Sequence, residues 1–257
     1  MFGWTGAMQG VERGELDLGT DVNDYLAEVT IPEAYGEPVT LEHLDTHTPG
    51  FEERYRGTFV ESPEDLRPLG ETLADERPAR VRPPGELASY SNYGAALAGH
   101  IVAEQAGTTF EEYVRENVFE PLDMERSTFA QPVPDGVGEV SKGYRYRNGE
   151  FVEGEFEYVG IPPAGSMSAS ATDMARFMLA HLNDGAFDGG RILESETVEA
   201  MHRRRFAHDE RVDGICYGFY ETSHGEERAI GHGGDTQLVP QPAVARTRAR
   251  SGPVRLV

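Results

Sequence analysis

Tyr90-Ser91-Asn92 stands directly before the best-formed helical stretch of the chain. From Asn92 to Ala106 apolar residues recur at 93, 97, 101 and 102, and Gly107 comes next. That spacing predicts an amphipathic helix, with glycine supplying the left-handed residue that ends it. The polar tripeptide is first of all a helix start, with Ser91 or Asn92 as the cap that accepts a hydrogen bond from a free N–H of the first turn. A helix of this length with one apolar face must pack against other elements, so it organises whatever core the chain has. A second short motif, Gly231-His232-Gly233-Gly234, ends a strand-like run near the C-terminus.

Other segments are legible by the same rules. Phe2 to Gly14 reads as a helix through Trp4, Met8 and Val11, with no N-cap residue before Phe2. A short helical turn is expected at 21–26 and a short helix at 40–44, which runs into Thr46-His47-Thr48-Pro49-Gly50, a turn by its Pro-Gly pair. Residues 52–88 read as irregular surface with one helix near 63–73. Thr109 is expected to cap a helix through Val118, Thr172 one through Leu182, and Ser195 one to about His202. Tyr144, Tyr146 and Phe151 alternate around Asn148-Gly149, a hairpin signal. Paired strands are expected at 215–222 and 228–231.

Composition excludes several functions. The 257 residues carry 45 acidic and 23 basic groups, a formal net charge of −22, and Lys142 is the one lysine. Such a charge opposes nucleic acid or anionic lipid as a partner. An acidic, lysine-poor surface is also the expectation for a protein adapted to high salt, where screening suppresses carboxylate repulsion. Cys216, flanked by Ile215 and Tyr217, reads as a small buried hydrophobe. No apolar stretch has the length of a membrane span, and Met1 opens on no signal-like segment; the compartment is left open. Past Thr236 the character reverses: residues 236–257 hold four arginines and no acid. The expected domain is therefore 1–235, with 236–257 an atypical basic tail outside the fold. A change of reading frame near Gln237 is preferred for it over a true interaction arm.

Five landmarks then fall in order along the chain: Leu44-Asp45-Thr46-His47-Thr48-Pro49-Gly50; Pro84-Gly85 with Tyr90-Ser91-Asn92-Tyr93-Gly94; Pro121-Leu122-Asp123-Met124; Pro163-Ala164-Gly165-Ser166; and His232-Gly233-Gly234. In this order they resemble the serine β-lactamase and penicillin-binding-protein family, in its class C β-lactamase, esterase and DD-peptidase-like branch. The resemblance implies an α+β fold, an antiparallel sheet flanked by helices with a mostly helical subdomain. It also implies an acyl-serine hydrolase acting on ester, peptide or β-lactam carbonyls. Tyr90 would share a proton network with the nucleophile, as base or as proton shuttle to the leaving group. Asn92 would position the lysine and the substrate amide. His232, Gly233 and Gly234 would line the cleft, and the Asp235 N–H would be an oxyanion donor. A small-molecule or peptide substrate is implied, with no cofactor and no metal. With His232 where other branches place a lysine, esterase or D-amino-acid peptidase activity ranks above β-lactamase activity.

The family's S-x-x-K pair has no counterpart in these residues. The residue three before Lys142 is Glu139. The run Phe2-Gly3-Trp4-Thr5-Gly6-Ala7-Met8 through Leu16-Asp17-Leu18 matches the family's helix continuation just after S-x-x-K, so the lysine would fall immediately before Met1. The expectation is a fold incomplete at both chain ends, marginally stable, with catalytic serine and lysine missing and turnover nearly absent. The rival readings are a non-catalytic peptide or cell-wall binding module and a non-functional gene remnant. His43 and His47 share the i, i+4 spacing of a metal pair, but Pro49-Gly50 breaks the helix at once, and no metal is expected. No G-x-S-x-G elbow is present, and Ser166, Ser168 and Ser170 read as local caps.

Overall fold

In the computed structural model, which describes residues 1–224, 227–238 and 240–245, the first helix is the most buried. The α-helices are α1 (Phe2–Glu12), α2 (Leu41–Asp45), α3 (Leu69–Asp75), α4 (Asn92–Ala106), α5 (Phe110–Val114), α6 (Ala171–Leu182) and α7 (Ser195–His202). Every residue of α1 from Trp4 to Gly10 is buried, as is Phe2. Its apolar positions therefore cover more than the single stripe that Trp4, Met8 and Val11 suggest. On one side α1 lies against α4 and α5, and Gly6 permits that approach: a Cβ there would come within 2.9 Å of the Tyr113 ring. On another, Phe2 stacks its ring 4.2 Å from Phe177 and also meets Phe119 and Phe129. Burial of one such side chain stabilises by roughly 2–3 kcal/mol.

The main sheet has four strands, β1 (Ile215–Cys216), β2 (Phe219–His224), β3 (Glu227–Asp235) and β4 (Pro240–Ala245), in the spatial order β4-β3-β2-β1, all antiparallel. The register sets Tyr220 opposite Gly231 and Asp235 opposite Pro240. Trp4 of α1 lies beneath Gly218 between β1 and β2, where a Cβ would meet the Trp4 side chain at 2.9 Å. Helices and a small antiparallel sheet thus share one core, the α+β arrangement expected.

The sheet runs past the boundary expected at residue 235. Pro240–Ala245, placed by composition in a tail outside the fold, is a strand beside β3. Backbone pairing needs no acidic or apolar pattern, only an available edge, which β3 offers. The turn before it is anchored: the Glu157 carboxylate accepts hydrogen bonds from the N–H groups of Gln237 (2.9 Å) and Leu238 (3.1 Å). Residues 246–257 of the expected tail lie outside the described residues.

Local expectations fare differently. Ser91 Oγ accepts from the Gly94 N–H at 3.0 Å, and Gly107 ends α4 in the left-handed region. The hairpin Tyr144–Arg147 with Glu150–Glu153 forms around Asn148-Gly149. The 63–73 helix resolves into a turn at Pro63–Asp65 and α3. Beyond α5 the chain does not stay α-helical to Val118; it widens into a π-turn at Arg115–Phe119. Ser170, not Thr172, caps α6, accepting from the Asp173 N–H, and Glu194, not Ser195, precedes α7.

Candidate active site

A zipper of backbone hydrogen bonds delivers Tyr90 to its place. Carbonyls of the turn after α2 accept from N–H groups of residues 81–89: Ser89 N–H to His47 O (2.8 Å), Gly85 N–H to Thr48 O (2.8 Å) and Val81 N–H to Gly50 O (2.7 Å). Gly50 has φ +78°, and a Cβ there would lie 2.1 Å from the Arg82 carbonyl oxygen, so only glycine allows the two segments this close. His47 also takes a left-handed conformation, φ 53°. Its Nδ1 accepts the Ser91 N–H at 3.3 Å, which fixes the chain one residue after Tyr90.

Four rings from four segments converge in the resulting hollow. His47 and Tyr90 have centroids 4.3 Å apart, Tyr90 and His232 5.9 Å, Tyr90 and Tyr220 6.2 Å, and Tyr220 and His232 5.0 Å. Tyr90 and His232 were expected here. Tyr220 carried no sequence signal beyond its place in a strand, and His47 read only as part of a turn. The N-terminal end of α1 lies beneath the same hollow, within electrostatic reach of Asp45, His47 and His232. The side chain of Asn92 leans away from the rings and hydrogen-bonds the Glu53 carboxyl.

The hollow is uncharged at neutral pH. Burial, then His232 and the α1 terminus, lower the His47 pKa to about 3. Burial and the same terminus lower His232 to about 4. Burial, reinforced by Glu53, pushes the Tyr90 phenol up to about 12, and Tyr220 is also raised, by burial and then Tyr90. His232 Nδ1 lies 2.6 Å from the Gly233 carbonyl oxygen. A neutral imidazole donates there, which leaves Nε2 as an acceptor; this tautomer is assigned from the hydrogen bond.

Beyond His232, β3 continues while β2 has no further paired residue: the β2 register ends at Gly231, and β4 occupies the other edge of residues 232–235. Gly233 and Gly234 are exposed, and a Cβ at Gly233 would meet nothing within 4 Å. A short length of backbone edge is thus open beside the rings.

Other polar groups near the core are structural. Ser166 Oγ donates to the Phe129 carbonyl. His43 belongs to the capping box of Thr40, its Nδ1 accepting the Thr40 N–H at 3.1 Å, and α2 stops at Asp45, so His43 and His47 share no helix face. Among the described residues no group of three or more His, Cys, Asp or Glu is arranged to hold a metal ion. None of the described helices is long and apolar enough to cross a membrane. Cys216 is buried and unpaired to another cysteine.

The chain belongs to the beta-lactamase family, whose model matches residues 1–243. It is 25% identical over 244 residues to a beta-lactamase of Yersinia enterocolitica, covering 93% of this chain and 59% of that protein. It is 28% identical over 203 residues to penicillin-binding protein 4 of Amycolatopsis lactamdurans, covering 77% of this chain and 52% of the relative. Among solved structures, the octameric penicillin-binding protein homologue from Pyrococcus abyssi superposes with a TM-score of 0.77 at 26% identity, over 95% of this chain and 56% of that one. The chain therefore spans little more than half the length of these relatives.

Proposed function

We propose that this chain forms the tyrosine and substrate-strand wall of a β-lactamase-family acyl-transfer cleft for ester and amide carbonyls. The convergence of Tyr90, His47, Tyr220 and His232 beside the open edge of β3 carries the reading. In it the Asp235 N–H is an oxyanion donor, and Gly233 and Gly234 let substrate backbone lie along β3. Tyr90, held as a neutral phenol, gives a proton toward the leaving group rather than taking one. Asn92 orients the substrate amide. His232 is neutral and no lysine stands in the hollow, so a free substrate carboxylate has no cationic partner. Neutral esters and amides are preferred over β-lactams for that reason.

These 257 residues contain no S-x-x-K pair, and Lys142 is paired with Glu153 on the surface hairpin, 2.6 Å away. The polypeptide is accordingly a binder with little or no turnover, since loss of the nucleophile of such a site typically costs on the order of a million-fold in rate. Fluorescent penicillin and a nitrophenyl ester should give no acyl-enzyme burst and no covalent mass increase. A stoichiometric burst overturns the loss of turnover. The charge of −22 also supports adaptation to high salt: the melting temperature should rise between low and molar potassium chloride, and a fall would contradict it.

A further inference from the structure

Two arginines lie just after Glu53 in the chain, and both turn away from it. Arg54 reaches Glu76 at 2.7 Å and Arg56 reaches Glu76 at 3.3 Å. Glu53 is left with the Asn92 side chain as a hydrogen-bond donor and has no ion-pair partner among the described residues. It sits close enough to Tyr90 to act on the phenol electrostatically. At the mouth of the hollow the protein therefore presents one uncompensated carboxylate next to the electron-rich faces of Tyr90 and Tyr220, whose centroids are 6.2 Å apart.

The ring walls themselves hold no opposing charge, because both imidazoles are neutral and the phenols stay protonated. A carboxylate beside aromatic faces is the environment that stabilises an ammonium ion, through a charge-assisted hydrogen bond and cation–π attraction. Burial raises the Glu53 pKa despite the Asn92 hydrogen bond, which is the behaviour of a carboxylate that lacks a cation. An arriving ammonium would supply it.

We infer that the cleft selects acyl compounds that carry a free ammonium group, with Glu53 as the ammonium-binding residue and Tyr90 and Tyr220 as its aromatic walls. The substrate class is thus amino-acyl amides and esters without a free carboxylate. This rests on the cleft reading above and narrows it. Asn92 joins the two ends of the site, since the same side chain holds Glu53 and stands at the first turn of α4 behind Tyr90.

Isothermal titration at about pH 6.5, below the usual α-amino pKa, tests this with phenylalanine amide and N-acetylphenylalanine amide. Phenylalanine amide should bind about tenfold more tightly, the expected scale for one charge-assisted contact at a partly exposed site. In Glu53→Gln the two should bind equally, with the acetylated probe unchanged from the parent protein. Glu53 is exposed, so the variant should melt as the parent does. His232→Ala is the control for the cleft and should weaken both probes. If the acetylated probe binds, depends on His232 and is not outcompeted by the ammonium probe, ammonium selection is wrong and the cleft stands. A preference that survives Glu53→Gln removes Glu53 from the role. If neither probe binds, or both ignore His232→Ala, the cleft reading falls and this inference with it.

Discussion

Tyr220 lies nearly flat on His232, with ring centroids 5.0 Å apart and planes inclined by 22°. The two belong to neighbouring strands, β2 and β3, so the stack is set by the sheet register and not by either loop. The phenol ring excludes water from one face of the imidazole, and burial is the largest cause of its low pKa. In Tyr220→Ala the His232 pKa should therefore climb from about 4 toward the ordinary value near 6.5. An NMR titration of the His232 ring reads this directly, and an unchanged midpoint would remove Tyr220 from that role.

Several buried imidazoles make the fold sensitive to acid. His47 is lowered to about 3, His202 and His232 to about 4, and His181 well below its ordinary value, all principally by burial. A histidine whose folded pKa lies under its unfolded value binds fewer protons in the folded state. Its contribution is complete above about pH 6.5 and is lost as pH falls toward the folded pKa, at about 1.4 kcal/mol per pH unit for each group. Asp45 works in the opposite sense: burial raises its pKa, so its ionisation costs stability as pH rises. Four histidines outweigh one aspartate. Denaturation midpoints should decline from pH 6.5 to 4, and a flat profile would show that these rings are solvated.

Glu221 is buried between Arg204 and Arg228, with Arg228 Nε at 2.6 Å, and it also accepts the Gly214 N–H at 3.0 Å. Removing the carboxylate strands two guanidinium groups and a backbone donor. Glu221→Ala should cost about 3–5 kcal/mol, whereas Arg204→Ala should cost less because Arg228 remains. Urea unfolding of the two variants checks the order.

Gly50→Ala should be among the most damaging single-methyl changes. Its φ is +78°, and the new Cβ would fall 2.1 Å from the Arg82 carbonyl. The loss should exceed about 2 kcal/mol, because left-handed strain and a backbone clash add. The variant should also loosen Tyr90, since the same turn holds Ser89 and Ser91 through His47. A change in Tyr90 resonances with a preserved α4 would show that coupling. Wild-type stability would contradict it.

Local chemistry was legible in the residues themselves. Ser91 and Gly107 mark the ends of α4, Asn148-Gly149 marks the hairpin, and the order of landmarks from Leu44 to Gly234 marks the family. These signals depend on neighbours a few positions apart, or on short motifs that keep their order whatever the fold does between them. Composition misled at the C-terminal end. The reversal of charge after Thr236 pointed outside the domain, yet Pro240–Ala245 pairs with β3, because backbone hydrogen bonding is indifferent to side-chain charge.

By itself the sequence determined which residues carry the chemistry: Tyr90 and Asn92 at a helix start, and His232 with two glycines on a strand. It also determined that no S-x-x-K pair accompanies them in these 257 residues. Only the tertiary structure decided that Tyr220 and His47 complete the ring cluster, that Asn92 turns to Glu53, and that the site is neutral. The physical reason is distance along the chain. His47, Tyr90, Tyr220 and His232 meet through a glycine-permitted turn and a sheet register, and burial by long-range packing sets their protonation.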